Sequence, residues 1–185
     1  MKILGIIGSP RRGGNTETLV GAVLAGAAVA GAETETIRLA DLAAKGCQAC
    51  MHCRSHEDCA VRDGMHDVYR AIESADKVVI GSPVYMFQMS SQTKAFMDRL
   101  YRYLNNDFTS RVRKETALVF AQGGPDLEAF RPYFDHVSNA YSLLGFPVVA
   151  TVVGGGTNEA GGIAKDSETI GRARAAGAAL AGRNA

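Results

Sequence analysis

Residues 2–16 read K-I-L-G-I-I-G-S-P-R-R-G-G-N-T, an apolar run of strand length that stops at Gly8 and opens into a polar, glycine-bearing loop. Leu19, Val20, Val23, Leu24 and Ala27 follow at helical spacing, so the unit reads strand, loop, helix. In open α/β sheets, ligands sit at the carboxyl ends of strands beside a topological switch point. Ser9, Asn15 and Thr16 offer hydroxyl and amide donors there, and Gly13 and Gly14 let backbone N–H groups approach an anion. The helix dipole adds positive potential. Arg11 or Arg12 can neutralise a phosphate through a bidentate contact. The loop lacks both the G-x-x-x-x-G-K-[ST] of nucleotide hydrolases and the G-x-G-x-x-G of dinucleotide folds, so a single phosphate monoester fits it better.

Outward from that unit, residues 34–39 (T-E-T-I-R-L) alternate like a strand near a sheet edge. Residues 77–81, 116–121 and 147–153 are continuous apolar runs, the pattern of strands buried on both faces. Helical stripes separate them: Met65, Val68 and Ile72; Phe96, Leu100 and Leu104; and Leu127, Phe130, Phe134, Val137, Tyr141 and Leu144. An Ala- and Gly-rich tail from about Ser167 closes the chain as a fifth helix. Strand–helix alternation repeated five times predicts an α/β fold with a five-stranded parallel sheet, helices on both faces, and one domain over 1–185. Only residues 40–62 are irregular, and a loop of that length inside a compact domain points to function.

Two further strand ends carry notable loops. Residues 81–90 (G-S-P-V-Y-M-F-Q-M-S) follow the third strand; Pro83 fixes the backbone, and Val84, Tyr85, Met86 and Phe87 offer a flat apolar surface. Residues 121–125 (A-Q-G-G-P) follow the fourth, and Gly123 and Gly124 let the main chain lie against a planar ring. A phosphate site, an aromatic loop and a glycine loop thus stand at successive strand ends.

All four cysteines lie in the irregular stretch: Cys47, Cys50, Cys53 and Cys59, spaced C-x2-C-x2-C-x5-C. Three readings compete. A compact four-thiolate set is the cradle of a cubane iron–sulfur cluster, and the two-residue gaps let three thiolates curl round one corner. Structural zinc more often pairs two separated C-x2-C knuckles. Free or redox-active thiols are the third.

Net charge is +1 with no basic or acidic block, which gives nucleic-acid or membrane-surface binding no electrostatic support. No apolar run approaches the roughly 20 residues that span a bilayer. Arg11–Arg12 is followed by polar residues, where an export signal needs an apolar stretch. The chain is therefore expected to be cytoplasmic, where structural disulfides are rare.

The runs G-S-P-R-R-G-G-N-T and G-S-P-V-Y, with S-S-Q-T-K-A-F-M-D-R behind the second and Asp63 after the cysteines, resemble the flavodoxin-like NAD(P)H-dependent FMN reductase superfamily. Within it, C-x2-C-x2-C-x5-C is similar to the iron–sulfur flavoproteins. The resemblance implies a doubly wound sheet of order 2-1-3-4-5 with a cysteine-rich insertion after strand 2. It implies one FMN and one [4Fe–4S] cluster per subunit, electrons from a ferredoxin-type donor, and a small-molecule acceptor. Ser9, Arg11, Asn15 and Thr16 would hold the FMN phosphate. Pro83, Val84, Tyr85, Met86 and Phe87 would line the ring, with Gly123 and Gly124 on its other side. Cys47, Cys50, Cys53 and Cys59 would ligate the cluster. An FMN or quinone reductase taking NAD(P)H as substrate, without a cluster, is the second expectation, and a cluster-based redox sensor the third. A homodimer or homotetramer is expected, in which a neighbour covers the cysteine loop and brings the cluster of one subunit near the FMN of another.

Overall fold

The computed structural model describes residues 1–182, so the last three residues of the expected 1–185 domain lie outside the described residues. The chain runs β1 (Lys2–Ile7), α1 (Asn15–Val29), β2 (Glu33–Arg38), α2 (Met65–Ser74), β3 (Lys77–Tyr85), β4 (Gln88–Met89) and α3 (Ser91–Arg99). It continues through β5 (Thr116–Ala121), α4 (Arg131–Leu143), β6 (Val148–Gly154) and α5 (Ser167–Gly182). The sheet order is β2-β1-β3-β5-β6, all parallel, with β2 at an edge as its alternating sequence suggests. For the five main strands this is the expected order 2-1-3-4-5; it differs in detail because one short extra strand shifts the numbering. After Tyr85 the chain turns back and adds β4, which pairs antiparallel with the end of β3 and lies off the main path.

Strand residues alternate between two core layers, as a period of two requires. Leu4, Ile6, Val78, Ile80, Leu118 and Phe120 face α2, α3 and α4. Ile3, Ile7, Val79, Ala117 and Val119 face α1 and α5. The small residues of the tail matter here. A Cβ on Gly177 would collide with the Val23 carbonyl of α1, and one on Gly26 with the backbone at Arg174. The Leu127–Leu144 stripe is absorbed in the same way: Phe134, Val137 and Tyr141 are buried, with Leu127, Phe130 and Leu144 packed against that core. It is a face of the chain's own core. Among the described residues no helix is long and apolar enough to cross a membrane.

Candidate functional site

The carboxyl ends of β1, β3 and β5 open into one cleft. It is lined by Ser9, Arg11, Asn15, Thr16, Pro83, Val84, Tyr85 and Gly123, all expected there. Ser9 is buried, and its Oγ accepts the Arg11 N–H at 3.2 Å, which leaves the hydroxyl proton for a ligand. Asn15 is more committed than its sequence suggested. Its Nδ2 donates to the Thr157 carbonyl at 3.0 Å and its Oδ1 accepts from the Ile163 N–H at 3.2 Å. Asn15 therefore braces the loop after β6 against the loop after β1. Arg11 lies across the same gap, its Nη1 donating to the Asn158 carbonyl at 2.7 Å. Arg12 turns away to Asp41 at 2.8 Å, which leaves Arg11 as the cation of the cleft. The Gly13 N–H donates to the Glu17 carboxylate at 2.8 Å and the Gly14 N–H to the Arg11 carbonyl at 3.3 Å, so both amides are already taken, although Gly14 lines the cleft.

A buried hydroxyl network fixes the second wall. Ser90 Oγ donates to the Gly8 carbonyl at 2.7 Å and accepts from the Thr93 N–H at 3.2 Å, capping α3. Thr93 Oγ1 donates to Ser82 Oγ at 3.1 Å, and Ser82 Oγ also accepts from the Ser90 N–H at 3.1 Å. These bonds join the ends of β1 and β3 to the start of α3. Beyond them, Tyr85 pairs with Gln88 across a two-residue turn whose central residues, Met86 and Phe87, both have positive φ. That is the primed hairpin geometry. Met86 and Phe87 are 87% and 70% exposed and lie outside the cleft lining, as does Gly124. Phe87 meets Phe130 edge-on with ring centroids 5.8 Å apart.

The cysteines lie between β2 and α2, in a segment whose regular pieces are single 3₁₀ turns at Leu39–Asp41 and His52–Arg54. Ala49 and Met51 have positive φ, a left-handed curl that costs non-glycine residues about 1–3 kcal/mol each and persists where surrounding structure enforces it. All four cysteines are free thiols and line one small cavity with Arg99, Tyr101 and Arg102. Among the described residues no group of three His, Cys, Asp or Glu side chains is gathered as a site for a single metal ion. Burial, and then the neighbouring Cys59 thiolate, push the Cys53 thiol up. Around the loop, guanidinium groups bind main-chain carbonyls. Arg111 Nη2 donates to Cys53 O at 3.2 Å, Arg102 donates to Glu57 O, and Arg54 Nη1 donates to Leu104 O at 3.0 Å.

The model of the NADPH-dependent FMN reductase family matches residues 1–175. An iron–sulfur flavoprotein of Archaeoglobus fulgidus is 30% identical over 160 residues, covering 83% of this chain and 72% of that protein. The chain belongs to the iron–sulfur flavoproteins of the FMN reductase family. An iron–sulfur flavoprotein of Methanosarcina thermophila is 36% identical over 118 residues, 64% of this chain; the match spans 62% of that relative's length. A solved NAD(P)H:quinone oxidoreductase from Methanothermobacter marburgensis superposes with a TM-score of 0.78, covering 100% of this chain and 98% of that one. At 18% identity that likeness carries the flavodoxin-like fold alone.

Sequence reasoning passed over three cleft residues: Gln122, Thr157 and Asn158. The run G-G-G-T-N at 154–158 is another glycine-rich strand end, and the rule that found the other loops applies to it. Gln122 follows β5 directly. Its Nε2 donates to the Asp126 carbonyl at 2.5 Å, which fixes the amide orientation, and its Oε1 is buried without a partner. Two charges of α3 form salt bridges: Asp98 with Lys94 at 2.6 Å, and Arg99 with Asp63 at 2.9 Å.

Proposed function

We propose that this chain is an FMN-dependent oxidoreductase that passes electrons from a one-electron donor such as a ferredoxin, by way of a [4Fe–4S] cluster and FMN, to a small acceptor. The observation that carries the reading is the gathering of all four thiols around one cavity, in a chain that also holds a polar cleft at its strand ends. When bound, the cluster supplies one-electron chemistry and FMN one- or two-electron chemistry, so together they join partners of both kinds. The donor set fits each group. Four thiolates match a cubane's ligand number. Ser9, Arg11, Thr16 and the N-terminus of α1 suit a phosphate, with Asn15 holding the opposite wall. The orphaned Gln122 Oε1 suits an N–H or hydroxyl donor of the flavin. Pro83, Val84 and Tyr85 would exclude water from one face of the ring, and Gly123 would admit the other. A Cβ at Gly123 would stand 2.5 Å from Asn158 Oδ1, so glycine is what keeps that wall in place. Met86 and Phe87, at the exposed turn, would cap the ring edge.

The two cavities share no lining residue. That separation supports a homodimer or homotetramer in which one subunit's cysteine loop meets its neighbour's flavin. We place the protein in the cytoplasm, as one flavodoxin-like domain whose 40–62 loop binds the cluster. Chain purified without oxygen should contain about four irons, four sulfides and one FMN, as a cubane beside a flavin requires. FMN without iron, even after anaerobic reconstitution, overturns the reading and leaves an NAD(P)H-dependent FMN or quinone reductase.

A further inference from the structure

We infer that Arg99 and Asp63 form a buried clamp that holds the cysteine loop closed at both ends and sets its thiols for the cluster. The inference rests on the cluster reading above. Arg99 ends α3, and its side chain is 1% exposed; that of Asp63 is 5% exposed. A guanidinium has five N–H donors in a fixed fork. All five are used here. Nε donates to Tyr69 Oη at 2.9 Å. Nη1 donates to Lys45 O at 2.8 Å and to Asp63 Oδ2 at 2.9 Å. Nη2 donates to Val61 O at 3.2 Å and to Asp63 Oδ1 at 3.1 Å. Asp63 completes the ring of bonds: Oδ2 accepts the Lys45 N–H at 2.8 Å and Oδ1 accepts the Met65 N–H at 3.1 Å.

The two carbonyls decide what the pair is for. Lys45 lies just before Cys47 and Val61 just after Cys59, so the whole cysteine run hangs between two prongs of one side chain. A buried ion pair needed only for stability would serve as well or better as packed apolar residues. This one spends its donors on the loop's two ends. Closing a loop before a ligand arrives removes that entropic cost from binding. Arg99 also lines the cysteine cavity, so its charge stands beside the thiolates it gathers. Lysine cannot replace it, because an ammonium lacks the fork that spans two carbonyls and a carboxylate.

The test uses the full chain, reconstituted anaerobically with iron and sulfide, as wild type, Arg99→Lys, Arg99→Gln and Asp63→Asn. Arg99→Lys should lose iron to a chelator at least tenfold faster than wild type while retaining FMN, whose cleft Arg99 does not line. The cluster midpoint potential should fall in Arg99→Gln, which removes a cation, and rise in Asp63→Asn, which removes an anion. A residue that merely holds the fold would not produce opposite signs. If Arg99→Gln does not fold, the Asp63→Asn rise and the Arg99→Lys release rate still decide the matter. A wild type that fills and an Arg99→Lys that holds its iron equally well sink the clamp alone, as does a Asp63→Asn potential that stays put or falls. A wild type that takes up no iron sinks the cluster reading and the clamp together.

Discussion

Replacing Met86–Phe87 by Asn-Gly should stabilise the FMN-free chain and weaken its hold on FMN. Both residues sit at positive φ in a two-residue hairpin turn. Left-handed backbone costs an ordinary L-residue about 1–2 kcal/mol, and Asn-Gly is the pair this turn prefers. Relief at two positions is therefore about 2 kcal/mol at the low end. Against it stands the edge contact of Phe87 with Phe130, worth about 0.5 kcal/mol or more. The freer unfolded chain of a new glycine costs about 0.4–1 kcal/mol. Little burial is lost, because both side chains are largely exposed. The balance is a gain of about 1 kcal/mol, or roughly 2–4 °C in Tm for a chain of this size. Thermal unfolding by circular dichroism reads the first effect. Fluorescence titration with FMN reads the second, where loss of the apolar cap should weaken binding about tenfold, some 1.4 kcal/mol. A lower Tm would refute the strain argument. A higher Tm with unchanged FMN affinity would refute the role of these two residues at the ring.

The adjacent glycines should behave differently. Gly123→Ala should weaken FMN binding severalfold by forcing Asn158 aside, whereas Gly124→Ala, which meets nothing within 4 Å, should bind as wild type; equal losses would show that loop flexibility matters instead of contact. Burial opposes ionisation of Asp63, but hydrogen bonds from Arg99 and the Lys45 and Met65 amides prevail and hold its pKa below the ordinary 3.8. A depressed carboxylate stabilises the fold above 3.8 and loses that contribution as pH falls through its folded value. Urea midpoints of the apo wild type should therefore drop more steeply below pH 4 than those of Asp63→Asn, and parallel curves would exclude Asp63 as the source. In the apo chain at pH 8, Cys53 should alkylate more slowly than exposed Cys47, because burial raises its thiol. Mass spectrometry of the iodoacetamide adducts checks this, with equal rates as the contrary result.

Features written in local pattern were legible in the sequence. The apolar runs at 77–81 and 116–121 could only be interior strands, and β5 matches its expected bounds to the residue. The Ala- and Gly-rich tail was legible as a helix; that its small residues serve a close approach to α1, at Gly26 and Gly177, shows only in the structure. The β3–β4 turn was missed because Met and Phe carry no turn signal. The hairpin exists through tertiary context, with Ser82, Ser90 and Thr93 tying it down. Eight of the eleven residues expected at the flavin line the cleft; the other three are those at the turn and Gly124.

Side chains whose work is long-range were the hard cases, and the reason is chemical. Asn15 had the right type for a phosphate ligand, yet both ends of its amide bind main-chain groups beyond residue 150. Arg99 forms the salt bridge a helix charge suggests, with Asp63, yet two of its other partners are the carbonyls of Lys45 and Val61. Every residue in the chain carries a carbonyl, so an acceptor of that kind leaves no mark in composition, spacing or periodicity. What can be read is the donor's situation. An arginine placed on the apolar stripe of a helix will be buried, and a buried guanidinium must find acceptors for its N–H groups. Arg99 lies three residues beyond Phe96 and next to Leu100 on such a stripe, and two of the carbonyls it reaches, those of Lys45 and Val61, belong to the irregular cysteine segment. The clamp follows from that requirement: the helix places the fork, and the irregular loop that carries the thiols supplies what the fork must bind.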